Sequence, residues 1–112
     1  MSDVWVLTNP ADSSKRQVIR ADVITNVIGG KEQVHATWTG RQMPVTLVEW
    51  STKFDKRDPL PAGFHIAFLQ ALDEAKRQDE NRDQVIYGEW IIDQQQWKWL
   101  VKDVEDLDPK QF

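Results

Sequence analysis

Val85-Ile86-Tyr87-Gly88-Glu89-Trp90-Ile91-Ile92 and Trp97-Lys98-Trp99-Leu100-Val101 flank the polar run Asp93-Gln94-Gln95-Gln96. Both flanking segments are rich in β-branched and aromatic residues, and the linker is short and polar, so the pattern predicts a β-hairpin. Pairing Ile92 with Trp97 sets Trp90 opposite Trp99 and Gly88 opposite Val101. One face then carries Gly88, Trp90, Ile92, Trp97, Trp99 and Val101. The other carries Tyr87, Glu89 and Ile91 against Lys98, Leu100 and Lys102. A slip of one residue would separate Trp97 and Trp99 from Trp90, so aromatic matching favours this parity.

A long helix precedes the hairpin. From Phe64 to about Arg82, the apolar residues Ala67, Phe68, Leu69, Ala71, Leu72 and Ala75 fall within one stripe at 100° per residue. Asp73 and Arg77 stand outside that stripe at i,i+4 spacing, which suits an ion pair. Pro59 and Pro61 exclude helix before about residue 61. The helix is expected to pack on a sheet.

The N-terminal half reads as strands. Asp3 to Thr8 is apolar on both faces, as a central strand would be, and Gln17 to Arg20 returns after the turn cluster Asn9 to Ser14. Gln33 to Thr39 alternates, with Val34, Ala36 and Trp38 on one face. Val45 to Trp50 follows, and Pro44 belongs at its start or at a sheet edge. Gly29-Gly30 is expected to supply positive φ for a reversal. Ala21 to Ile28 reads two ways. Its apolar spacing at 23, 24, 27 and 28 is helical, but its β-branched residues favour a strand from about Ile24 to Ile28 after a kink near Ala21-Asp22.

The fold class is therefore α+β: an antiparallel β-sheet of about five N-terminal strands plus a C-terminal hairpin, with one amphipathic helix packed on a face. Residues 1–112 read as a single domain with an acidic tail from about 103, expected to fray. The 112 residues hold no cysteine, which removes disulfides, thiolate zinc sites and cysteine nucleophiles. No apolar run reaches the ~20 residues of a membrane span, and no basic and apolar leader opens the chain, so a cytoplasmic protein is expected.

The net charge of −4 is uneven: residues 1–63 carry 8 basic and 7 acidic side chains, and residues 64–112 carry 6 and 11. An acidic chain repels phosphate backbones, so nucleic acid is a disfavoured partner. The densest basic group, Lys53, Lys56 and Arg57, is interleaved with Asp55 and Asp58 and reads as a solvated loop. Single-strand binding by stacked aromatics with Arg16, Arg20, Arg41 and Lys98 is the form that nucleic-acid recognition would take.

No motif demands catalysis. Gly-x-Ser-x-Gly is absent, and Ser13, Ser14 and Ser51 lie in loops without a neighbouring histidine in sequence. Ile28-Gly29-Gly30-Lys31 lacks the remaining parts of a phosphate loop, and the histidines fit no metal motif, so neither a cofactor nor a metal is expected. Asp55/Asp58, Asp79/Glu80 and Glu105/Asp106 lie in polar stretches that would not raise a carboxyl pKa. His35 reads as a surface histidine. His65 falls inside the helix's apolar stripe, either as a hydrogen-bonded core residue or as the centre of a ligand or catalytic pocket with Tyr87 and Glu89.

The anomaly is six tryptophans in 112 residues. Each buries on the order of 200 Å² and wants a partner for its N–H, so a core of this size absorbs about three or four. Trp5 and Trp38 read as core. Trp50, Trp90, Trp97 and Trp99 either receive the helix or form a contact surface, because aromatics concentrate at interface centres. The expectation is a non-catalytic interaction or binding protein with a protein partner or self-association as a homo-oligomer; a small ligand or a sugar is the further possibility, and a membrane is not a partner.

Overall fold

The computed structural model describes residues 3–11, 16–50, 57–77 and 81–111. The turn residues Asp12 to Ser14, Ser51, the basic group's Lys53, Asp55 and Lys56, and the pair Asp79/Glu80 lie outside the described residues. The strands are β1 Val4–Leu7, β2 Val18–Arg20, β3 Asn26–Gly29, β4 Gln33–Thr37, β5 Val45–Glu49, β6 Gln84–Ile91 and β7 Gln96–Asp103, with α1 at Phe64–Lys76 between β5 and β6. The α+β class holds. A 3₁₀ turn at Ala21–Val23 is the kink expected before β3.

The strands form two sheets rather than one, in the orders β2-β1-β6-β7 and β3-β4-β5. The four-stranded sheet is mixed, because β1 pairs with β6 in parallel. Parallel neighbours need a long crossover, and the whole chain from β2 through α1 supplies it. The kink at Ala21–Val23 redirects the chain out of the first sheet, and β3 then starts the second. The sheets meet where Asn9 donates its backbone N–H to the Leu47 carbonyl at 2.8 Å and its amide to the Gly88 carbonyl at 2.8 Å. Gly88 permits this approach: a Cβ there would stand 3.1 Å from the Val48 side chain and 3.2 Å from the Trp99 ring.

One core joins both sheets to the helix. Val6, Ile19 and Ile86 from the first sheet and Val34, Ala36, Leu47 and Val48 from the second pack with Phe64, Phe68, Ala71 and Ala75 of α1. The helix ends at Lys76, short of Arg82. After Ala75 the sequence offers no further apolar residue to that stripe until the next strand, so nothing rewards another turn. The Asp73–Arg77 pair forms at 3.1 Å on the solvent face.

Gly29 and Gly30 do not take positive φ; among the described glycines only Gly40 and Gly63 do. Gly29 closes β3 in extended backbone, and its missing Cβ makes room for the ring of His65.

The hairpin keeps its expected faces but not its expected register. Trp90 pairs with Trp97, Gly88 with Trp99 and Ile86 with Val101, a shift of two residues. The chain turns through Ile92–Gln94 and Gln95, whose φ of 52° is left-handed. The acidic tail does not simply fray. Val104–Asp106 forms a 3₁₀ turn, and Leu107 packs on the outer face of the four-stranded sheet.

Candidate functional site

Trp38, Trp50, Trp90, Trp97 and Trp99 pack with the core that holds the helix, while Trp5 lies on the outer face of the four-stranded sheet. Trp97 is buried, and Trp5, Trp38, Trp50, Trp90 and Trp99 are half-buried; none lies open on the surface. Trp99 stacks on Phe64 at 4.9 Å and meets Phe68 edge-on at 5.0 Å, while Trp90 and Trp97 meet edge-on at 5.7 Å. The Trp face of the hairpin is therefore the seat of the helix. Three indole N–H groups end on carbonyls at the entry to α1: Trp50 on Arg57 and Trp97 on Asp58 in the connection, and Trp99 on Phe64, the helix's first residue, at 2.8, 2.7 and 2.8 Å. That stretch supplied the acceptors and cover that composition could not reveal. The interior absorbs more indoles than their number suggested: Trp50, Trp90, Trp97 and Trp99 all pack with the core that holds the helix, Trp97 buried and the other three half-buried.

The pocket expected around His65 does not assemble with its proposed partners. His65 is half-buried against Gly29 and borders two cavities, of about 250 Å³ and 170 Å³. No carboxylate lines either. Tyr87 lies on the opposite face of β6, buried with Leu7 and Val85, and Lys102 Nζ stands 5.9 Å from its ring centroid. Glu89 is exposed on that same outer face by strand alternation. His35 is half-buried, its Nδ1 3.5 Å from the Thr46 hydroxyl.

The arginines of the nucleic-acid reading are already engaged. Arg20 bridges Asp3 and Asp22 at 3.1 and 3.0 Å. Arg41 lies over the Trp38 ring at 4.9 Å and donates to the Met43 carbonyl. The described residues contain no group of three or more His, Asp or Glu arranged to hold a metal ion, and no helix is long and apolar enough to cross a membrane.

The strongest candidate site is one that sequence reasoning passed over. Strand β1 is apolar on both faces: Val4 and Val6 face the helix core, while Trp5 and Leu7 face outward. Register brings Val18 beside Leu7 and Val85 beside Trp5, which makes an apolar strip across β2, β1 and β6. Among the described residues, only the tail crosses it. Between tail and sheet runs a groove of about 350 Å³ lined by Trp5, Leu7, Val18, Val85, Val104, Leu107 and Asp83. The signal was present in the sequence: a strand apolar on both faces needs two covers, and the chain has one long helix. Val104 and Leu107, three apart within the acidic tail, provide the partial second cover.

Among the described residues that line the groove, Asp83 is the one that ionises. Its Oδ1 accepts the backbone N–H of Asp3 at 2.8 Å, and its Oδ2 accepts the indole N–H of Trp5 at 3.2 Å. These bonds, first that of Asp3 and then that of Trp5, hold its pKa below the ordinary value of 3.8, with a smaller contribution from Arg20. Asp103 is lowered likewise, first by the amide of Gln84 and then by Arg82. Both carboxylates are ionised near neutral pH. A folded pKa below the unfolded one gives stability that is complete above the unfolded value and is lost as pH falls through the folded value. Asp83→Asn and Asp103→Asn should therefore be less stable than the parent chain near pH 7 and converge with it as pH falls below the ordinary carboxylate range. Urea midpoints measured across that range check this; a constant offset at every pH would show that the carboxylates' charge is not what matters.

The chain matches no protein family, no curated protein and no solved structure.

Proposed function

We propose that this protein is a non-catalytic binding module that takes an apolar group into the groove between its C-terminal tail and the outer face of the four-stranded sheet. The carrying observation is the groove itself: about 350 Å³, within the range of ligand sites, and walled, among the described residues, by apolar and aromatic side chains with one carboxylate. Its concave shape favours a small ligand over a flat protein surface, although the wider expectation of an interaction protein belongs to the same class. Asp83, hydrogen-bonded and ionised, suits orientation of a ligand better than proton transfer near neutrality. The protein is read as cytoplasmic, as its cysteine-free composition allows.

The test follows the Trp5 indole N–H by ¹⁵N–¹H correlation spectra during titration with n-octanol. A saturable shift of that resonance, shared by the amides of Leu7 and Val85, is expected. Val18 is 59% exposed, so Val18→Glu places a charge on the groove wall at little cost to folding and should abolish the shift. Met43→Glu, at a 73% exposed position in the β4–β5 turn, should leave it unchanged. An unchanged parent spectrum at octanol saturation would overturn the reading.

A further inference from the structure

We infer that the groove selects amphiphiles whose head group is a protonated amine, the apolar chain lying between tail and sheet and the ammonium resting at Asp83. This inference rests on the groove being a binding site and adds the ligand's charge. The argument is charge complementarity. Asp83 lies in the wall of a trough whose other described lining residues are apolar or aromatic, and each of its oxygens, having accepted one hydrogen bond, retains a lone pair for a further donor.

The surroundings neutralise it only in part, through Arg20 and, least of all, the N-terminal ammonium. On one side Arg20 is shared between Asp3 and Asp22. On the other, Arg82 is shared between Asp103 and Glu105, at 3.1 and 2.7 Å. Among the described side chains, these five carboxylates and two guanidinium groups leave a net charge of −3 around Asp83, which the N-terminal ammonium reduces without cancelling. Val104, between Asp103 and Glu105, donates its N–H to the Asp83 carbonyl at 3.0 Å, which ties the acidic rim to the apolar wall. An anionic head would be repelled here, and a neutral head would forgo the attraction. Trp5 adds an aromatic wall beside the carboxylate, a pairing that suits an organic cation.

The experiment titrates the whole chain with n-octylamine, n-octanol and octanoate near pH 7 at low ionic strength, reading the Trp5 indole resonance. Octylamine is protonated there. Its ammonium is better solvated by water than a hydroxyl, so apolar transfer alone would favour octanol. An amine preference of about fivefold over octanol is expected, the size of a partly exposed ion pair, with octanoate weakest. Raising the salt to about 0.5 M should shrink that preference, and Asp83→Asn should remove most of it while octanol affinity is retained.

Equal binding of octanol and octylamine would overturn the charge inference and leave the binding-module reading standing. Binding of neither would remove both. If the Trp5 resonance moved with protein concentration alone and sedimentation showed a dimer, a second copy would be the occupant, and the amine inference would fall. Should Asp83→Asn not fold, the comparison of the three ligands on the parent chain decides the matter.

Discussion

Phe68→Ala should lower the unfolding free energy by about 3–5 kcal/mol, the range for truncating a buried aromatic that leaves a cavity. Phe68 has no solvent exposure and projects from the middle of α1 into the core shared by both sheets. It also holds the edge of Trp99 at 5.0 Å, and Trp99 in turn stacks on Phe64. Losing the ring removes apolar burial and the support of an indole whose N–H secures the start of the helix. A domain of this size is stabilised by roughly 5–15 kcal/mol, so the loss is a large share of the total. The neighbouring Leu69 is 49% exposed, and Leu69→Ala should cost about 1 kcal/mol or less. Urea denaturation of both variants checks the contrast. Equal losses at 68 and 69 would mean that the helix is not seated on the face assigned to it.

Gly29→Ala is expected to cost about 2–3 kcal/mol, although it adds only one methyl group. A Cβ at position 29 would stand 2.1 Å from His65 Nδ1, 2.4 Å from its Cγ and 2.9 Å from its Cβ. Because the stem of His65 is involved as well as its ring, a new rotamer alone does not clear the space. Either the helix N-terminus or the end of β3 must shift. His65→Ala in the same chain removes the two shorter contacts and should restore most of the stability, giving a coupling of about 1–2 kcal/mol in a double-mutant cycle. Gly30→Ala is the control: its Cβ would find only the Gln33 carbonyl, at 3.6 Å, and should be close to neutral. Additivity of Gly29→Ala and His65→Ala would contradict the packing described. The contact also gives His65 a structural account, since a histidine in the apolar stripe of α1 is what closes the helix onto a strand that has a glycine there.

The hairpin shows how far patterning reaches. Alternation separated its two faces correctly, because side-chain parity is a local property of extended backbone. A two-residue slide preserves parity, so the same aromatic matching accepts Trp90 opposite Trp99 or opposite Trp97. The choice fell to the turn, where Gln95 takes a left-handed conformation and its side chain donates to the Ile92 carbonyl at 2.8 Å. Glutamine at such a position carries little sequence signal. Gly29 is a similar case. A glycine pair between strands reads as a turn needing positive φ, whereas the absent side chain was needed for a neighbour 36 residues away in the chain.

The tryptophans mark the boundary most clearly. Their number argued for exposed rings, but three of them are anchored by carbonyls at the entry to α1, two in the preceding segment and one on its first residue. Composition counts rings; it does not show which loops will offer acceptors and cover. The groove was half legible, since the two-sided apolarity of β1 called for a second cover, yet nothing local showed that Val104 and Leu107 would cross it.

What the amino-acid order determined by itself was the set of elements, most of their limits and the face each turns inward. Those depend on periods of 2 and 3.6 and on turn chemistry within a few residues. The division into two sheets, the parallel pairing of β1 with β6, the two-residue register of the hairpin and the groove bearing Asp83 were decided only by tertiary structure. Each depends on which distant segments meet, and that is set by the joint packing of the core rather than by any one stretch of chain.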